Sequence, residues 1–494
     1  MRVVLLYPTW TGAYGIIAHF ARRNSRWPPL NLALLGAILE EHGHEVHIID
    51  GEVDGLSIPD IASQAIALKP DIIGLTAFSP FFHINKDLAY AIKEIDASIP
   101  IMIGGPHITI TGKDSMSSAF DYLFVGEAEY SLPQFIDELE RGGDISQVGG
   151  ILYAQNGDII STGEAEPIDM TREYPLDRFP FPARHLLPMH KYQLGTLRGR
   201  LPMTSIQTMR GCPWKCIFCA SDALKTTRVI KRSPASVVAE MSQVVDTYGI
   251  KHFYIVDDVM TLWPKHITEI CDRIDAAGLD ITFEGSTRAN LVTDELIERL
   301  ASSGLIRLSF GLETVNTEMR KTMKKKVPLE YYVTANRILN KYNVEALNSV
   351  MIGLPGETRE TVDETLRFLE AQKDISQANF AIAVPYPGTE LHTMAKQGME
   401  GMELLSDDMS EYRRYGSAVT KVNELSPEDL VELQNEGFAR IYSRPHRWIP
   451  MLRKHGIMGG VLTLLRVAKY LVSKLVKPRA VSGHVGDPKH PNTV

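Results

Sequence analysis

Three of the chain's four cysteines fall between positions 212 and 219, inside the stretch GCPWKCIFCA. Cys212, Cys216 and Cys219 have the spacing C-x3-C-x2-C. Thiols this dense in a chain that otherwise avoids cysteine imply a metal rather than a disulfide framework. A structural zinc wants four ligands, and no second cysteine pair or histidine is spaced to complete one. The remaining thiol, Cys271, sits in a predicted amphipathic helix and reads as a small buried hydrophobe. Three thiolates suit a cubane iron–sulfur cluster whose fourth iron stays open to bind something else.

Strands and helices that alternate must position this loop. The loop follows directly on the strand candidate TSIQTM (204–209), the first of six. The others are HFYIVDD (252–258), ITFEGS (281–286), LIRLSFGLE (305–313), ALNSVMIG (346–353) and ANFAIAVP (378–385). Helical periodicity over 234–248, 265–278, 293–303, 330–342 and 359–371 separates them, which fits a partial or full parallel barrel. Barrel chemistry sits at the carboxyl ends of strands, which is where the cysteines fall.

Before this module lies another α/β unit. RVVLLY, EVHIID, DIIGLTAF, IMIGG and YLFVG alternate with helical stretches at 30–43, 58–68, 85–95 and 131–142, predicting a parallel, doubly wound sheet. YPTWTGAYG after the first strand is not G-x-G-x-x-G, which disfavours a dinucleotide site. A hairpin is expected at 149–162 with Asn156-Gly157 as its turn, and a proline-rich stretch, 173–188, reads as a linker wrapped over a surface. Residues 386–440 are more polar and predict helices rather than strands.

The C-x3-C-x2-C motif at the end of a first barrel strand, with aromatic Phe218 before its last cysteine, resembles the signature of the radical S-adenosylmethionine (SAM) superfamily. The resemblance implies a partial (β/α)6 barrel of TIM type. It also implies a 4Fe–4S cluster on Cys212, Cys216 and Cys219, whose open iron chelates SAM and whose electron cleaves it to a 5′-deoxyadenosyl radical. On the same basis SAM contacts are expected from Phe218, Asp257, Asp258, Glu284, Arg288, Glu313, Gly353 and Pro385. A doubly wound domain ahead of that barrel is similar to the cobalamin-binding domain of a large radical SAM subclass. Thr76, Ser79, Gly104, Gly105, Gly126 and Glu127 are then the candidate corrinoid contacts. The D-x-H-x-x-G motif that ligates cobalt in methionine-synthase-type domains is absent, and His83, in SPFFHIN, reads as a solvated or core histidine.

The expected organisation is a cobalamin-binding-like domain at 1–145, a hairpin and linker at 146–200, the barrel at 201–400, a helical C-terminal region at 401–480 and a disordered end at 481–494. SRPHRWIPMLRKHGIMGGVLTLLRVAKYLVSKLVKPR (443–479) is cationic on one helical side and aliphatic on the other, a pattern suited to peripheral contact with a membrane interface. This layout resembles anaerobic magnesium-protoporphyrin monomethyl ester cyclases and radical SAM methyltransferases.

The expected activity is modification of an unactivated carbon of a hydrophobic lipid, tetrapyrrole or natural-product substrate. Cobalamin-dependent methyl transfer is the first reading and cyclisation or oxidation the second. A metal-stabilised binding protein without turnover is the reading of another class. A methylthiotransferase layout is disfavoured, because residues 1–211 hold no cysteine for a second cluster. A flavodoxin or ferredoxin is the expected electron donor. The net charge of −8 argues against nucleic acid. Four cysteines point to a reducing compartment. The N-terminus reads as a strand rather than a signal peptide, and with no apolar run of about 18 residues the expected location is the cytoplasm, peripheral at most to the membrane.

Overall fold

The computed structural model describes residues 1–10, 25–196, 199–444 and 447. Two large sheets organise them. The first is built from β1 (Arg2–Tyr7), β3 (Glu45–Asp50), β4 (Ile72–Thr76), β5 (Ile101–Gly104), β6 (Tyr122–Phe124), β7 (Ile151–Gln155) and β8 (Asp158–Ser161), while β2 (Ser25–Arg26) belongs to the second. Its order, β3-β1-β4-β5-β6-β7-β8, is parallel through β6 and antiparallel thereafter. Val3, Val4, Leu6, Ile72, Ile73, Ile101 and Ile103 are wholly buried, because a parallel sheet covered on both faces needs apolar residues at consecutive positions. The hairpin expected at 149–162 forms as β7 and β8. Its strands prolong the first sheet, pairing Leu123 with Leu152 and Phe124 with Ile151.

The second sheet carries β9 (Gln193–Thr196), β10 (Gly199–Ile206), β13 (His252–Ile255), β14 (Thr282–Ser286), β15 (Leu305–Glu313), β16 (Glu345–Ile352) and β17 (Gln377–Ile382). β11 (Met209–Arg210) and β12 (Ile230–Lys231) form a separate antiparallel pair. The order β17-β16-β15-β14-β13-β10 is parallel throughout, and helices such as Pro234–Tyr248, Pro264–Ala276 and Arg359–Ala371 return the chain between strands. β10 and β17 are not paired, so this is an open barrel of six strands. Beyond β10 the sheet continues antiparallel through β9 to β2.

That last pairing stitches the two units together, and the proline-rich segment reinforces it. The segment buries Leu176, Ala183 and Leu187 while leaving Glu173, Asp177 and Arg178 exposed, and just after it Met189 and Tyr192 are buried too. Arg184 forms a 2.6 Å ion pair with Glu240, both almost fully buried. Tyr192 donates to Asp50 Oδ2 at 2.7 Å across the module boundary, and burial pushes the Asp50 carboxyl up to about 6. A segment whose apolar residues face two different neighbours in turn shows no period, which is why its sequence looked like a linker. The polar region after 386 also departs from expectation. Beside helices Glu390–Gln397 and Pro427–Tyr442 it contains an antiparallel pair, Met402–Leu404 with Thr420–Val422.

No helix among the described residues is long and apolar enough to cross a membrane. The basic tail, 443–479, lies outside the described residues except for Ser443, Arg444 and Arg447, and the 481–494 end lies wholly outside them.

Candidate active site

The cysteine loop leaves β11 through Gly211, whose φ of +102° favours glycine. The Cys212 N–H donates to Thr226 O at 2.9 Å and the Cys219 N–H to Cys216 O at 3.0 Å, winding the three cysteines into one compact turn. All three thiols are free: Cys216 is buried, the others partly exposed. Burial pushes the Cys212 thiol up, and the charges of Asp258, Cys219 and Cys216 push it further. No set of three His, Cys, Asp or Glu among the described residues converges tightly enough to grip a single metal ion. A cubane does not require it, because each thiolate binds a different iron. The donor set therefore fits a 4Fe–4S cluster.

The strand ends around this loop divide the SAM candidates into two groups. Asp258 accepts a hydrogen bond from the Gly211 backbone N–H and bears directly on Cys212. Arg288, just past β14, lays its guanidinium 4.1 Å from the ring centroid of Trp214, inside the cysteine loop. Its Nε is buried without a hydrogen-bond partner, and among the described residues no carboxylate is paired with its guanidinium at the barrel mouth. Phe218 packs with Ile217, Met319 and Leu354 beneath the loop. Gly353 has a φ of +90°, and Pro385 O shares a 2.9 Å hydrogen bond with His392 Nδ1.

Asp257, Glu284 and Glu313 are engaged by the protein itself. Asp257, 3% exposed, accepts from the backbone N–H groups of Thr208 at 2.8 Å and Met209 at 3.0 Å and from the Thr208 hydroxyl; burial pushes its carboxyl up to about 7. It pins the run into the cysteine loop. Glu284 is set apart from the mouth: it contacts His252 Nε2 at 2.9 Å and pairs with Arg307, which lies 3.8 Å from Glu345, in a buried charge ladder across β13 to β16. Glu313 pairs with Lys325 at 2.8 Å.

At the carboxyl edge of the first sheet, Thr76 accepts from Asn31 Nδ2 at 3.1 Å, and Ser79 shares a 3.0 Å hydrogen bond with His107 Nδ1. Gly104 ends β5. Gly105, at φ +102°, has no room for a side chain, since a Cβ would meet Ala77 N and O at 2.9 Å. Gly126, at φ +99°, donates its N–H to Thr109 Oγ1 at 3.1 Å. Phe78 is 39% exposed, and Trp10 stacks on Phe81 at 5.0 Å, giving this edge an aromatic lip that fits a flat macrocycle. Glu127 turns away toward the barrel, where it and Glu129 hold Arg210 at 2.6 and 2.7 Å. His83 is half-buried at the start of helix Phe82–Ile95 near Asp408 and Arg413, and burial lowers its pKa.

The two edges face one another. A Cβ on Gly388, in the loop after β17, would meet Ile110 Cγ2 of the first module at 2.6 Å and Ala223 Cβ of the cysteine-loop segment at 3.0 Å. Sequence reasoning did not single out Trp214, His107, Arg210, Lys325 or Glu357. Only Glu357 carried a signal, as the acid of GLPGET; it accepts from the N–H groups of Gly353 and Leu354.

A thiol loop at the mouth of an open parallel barrel, set against a doubly wound domain, defines the radical SAM class of enzyme. Residues 206–369 match the radical SAM superfamily model and residues 17–136 the B12 binding domain model. A protein of Pyrococcus horikoshii named as an uncharacterized methyltransferase is 30% identical over 472 residues, covering 94% of this chain and 98% of its own. An anaerobic magnesium-protoporphyrin IX monomethyl ester cyclase of Rubrivivax gelatinosus is 26% identical over 444 residues, 84% of this chain and 77% of that one. Among solved structures, the radical SAM methyltransferase TsrM of Kitasatospora setae superposes with a TM-score of 0.71, covering 96% of this chain and 99% of that one at 17% identity, a likeness of fold.

The chain belongs to the cobalamin-binding branch of the radical SAM superfamily. It is an enzyme of the cobalamin-dependent radical SAM methyltransferase family, whose cofactors are a 4Fe–4S cluster, SAM and cobalamin.

Proposed function

We propose that this enzyme methylates an unactivated carbon of a small hydrophobic substrate, with Cys212, Cys216 and Cys219 holding the cluster. The observation that carries the reading is the apposition of the two edges at Gly388, Ile110 and Ala223. It brings the cluster-loop segment and the corrinoid edge against one another. When bound, the cofactors supply a one-electron cleavage of SAM and a transferable methyl group. The chain's own residues do the rest. Arg288 forks onto the SAM carboxylate, Asp258 faces the amino group, and Gly353 with Pro385 borders the nucleoside. Thr76, Ser79, Gly104, Gly105 and Gly126 cradle the corrinoid, Glu127 acting at one remove through Arg210. A hydrophobic substrate suits the aromatic lip, and the cyclase relative, named for a tetrapyrrole, favours cyclisation or oxidation as the second reading. A flavodoxin or ferredoxin supplies electrons, in the cytoplasm.

Anaerobic purification with cobalamin supplied tests this. About four irons and one cobalt per chain are expected, and dithionite with SAM should release 5′-deoxyadenosine. Alanine at any of the three cysteines should remove both the iron and that product. A colourless wild-type protein that cleaves no SAM would leave only the binding-protein reading.

Arg288→Met should retain its iron and weaken SAM binding about ten- to a hundredfold, the worth of a charge-assisted pair of hydrogen bonds. Equilibrium binding of SAM to the reconstituted protein checks this. Unchanged affinity would reassign Arg288 to packing on Trp214.

A further inference from the structure

A lysine at 8% exposure is costly unless charge is brought to it. Lys325, in the run of three lysines 324–326, is such a residue, and its Nζ lies 2.8 Å from Glu313 Oε1. Its other neighbour is Phe218, the residue before Cys219, whose ring centroid is 5.9 Å from the ammonium. Burial alone would drive the ammonium toward neutrality. The Glu313 carboxylate outweighs it, so the ammonium's pKa is raised and the group stays protonated.

The setting is rigid. The register of β15 against β16 shifts between Gly311 and Glu313, and Glu313 takes a φ of +63°. Gly311 leaves room for the pair, since a Cβ there would meet Lys325 Nζ at 2.6 Å. Buried Arg320 donates to Leu312 O at 3.0 Å, to Thr314 O at 2.8 Å and to Val327 O, sewing both ends of the segment together. The Ile217 N–H donates to Met323 O at 3.4 Å, which seats the segment against the cysteine loop.

We propose that Lys325 is an electrostatic positioning residue for the cluster: its fixed positive charge favours the reduced state, and Glu313 partly offsets that charge. The proposal rests on the reading that the three cysteines hold a 4Fe–4S cluster. Reduction adds one electron to that cluster, from a low-potential donor, with no bond made or broken. A buried unit charge held against the cluster loop, at an effective dielectric of about 20, shifts such an equilibrium roughly tenfold.

The test is a redox titration, followed by electron paramagnetic resonance, of the full-length reconstituted protein without SAM. Dithionite serves as reductant. At the wild-type midpoint, the ratio of reduced to oxidised cluster should fall about tenfold in Lys325→Met and hold within about threefold in Lys325→Arg. In Glu313→Gln, which leaves the ammonium uncompensated, it should rise about tenfold. Opposite signs for the two charge removals are what a purely structural pair would not give. Shifts of the same sign, or none, overturn the proposal. Should Lys325→Met fail to keep its iron, a Glu313→Gln cluster that reduces no more readily than wild type is sufficient to overturn it. A wild-type protein without iron sinks the cluster reading instead.

Discussion

Alanine at Gly211 should abolish cluster assembly while leaving the fold intact. Gly211 adopts a φ of +102°, and a Cβ there would meet the carbonyl oxygens of Thr226, at 2.6 Å, and Arg228. Those are backbone atoms in the segment that receives the Cys212 N–H, so they cannot swing aside as a side chain would. A left-handed alanine costs about 1–3 kcal/mol before any clash. The clash then adds to it, and the cheapest relief is to open the loop and spread the thiols. Iron per chain after anaerobic reconstitution should drop below roughly a tenth of wild type, since a site opened by several kcal/mol loses its metal. Circular dichroism should not change, because neither large sheet includes Gly211. Gly249→Ala is the control. Its φ is +66° with no atom within 4 Å of the new Cβ, so it should cost about 1 kcal/mol of stability and no iron. Full iron loading of Gly211→Ala would show that the tight turn does not set the thiol geometry.

Glu357→Gln should make the apoprotein more stable than wild type in alkali and leave it unchanged in mild acid. The carboxyl is 1% exposed, no cation among the described residues pairs with it, and it accepts from the backbone N–H groups of Gly353 and Leu354. Burial pushes it from 4.5 up to about 8, against the lowering effect of those two donors. A carboxyl raised in the folded state contributes stability that is complete below 4.5 and lost as pH climbs toward and through 8. The loss runs at up to about 1.4 kcal/mol per pH unit, a few kcal/mol by pH 9. Glutamine keeps an oxygen for both N–H groups and never ionises. Melting curves for the two proteins should therefore coincide near pH 4, diverge between about pH 4.5 and 8 and keep a constant gap above that, with the variant on top. Parallel curves across that range would mean that Glu357 is ionised in the folded protein. Alanine, which strands both N–H donors, should instead lower stability at every pH.

Much of this was legible in sequence because it is local. β15 and the helices Pro234–Tyr248 and Arg359–Ala371 fall where hydrophobic periodicity put them, since a helix is specified by neighbours three or four residues away and a strand by neighbours two away. The cysteine spacing identifies its chemistry for the same reason. The proline-rich segment misled, and the hairpin's place in the first sheet was not legible, because their partners are distant in sequence. Tyr192 answers to Asp50, and Ile151 to Phe124.

The site shows the division most sharply. Asp257 and Asp258 are indistinguishable as letters, yet successive side chains leave a strand end on opposite sides, and one is sealed against Thr208 while the other meets Gly211. Glu284 and Arg288 are four residues apart, and register alone sends the first into a charge ladder with His252 and Arg307 and the second to Trp214. Spacing along the chain thus determined the fold class, the thiol loop and its metal chemistry. Which charges are spent inside the protein, and which remain for a ligand, was decided by tertiary structure, because a charge is neutralised by whatever folds against it.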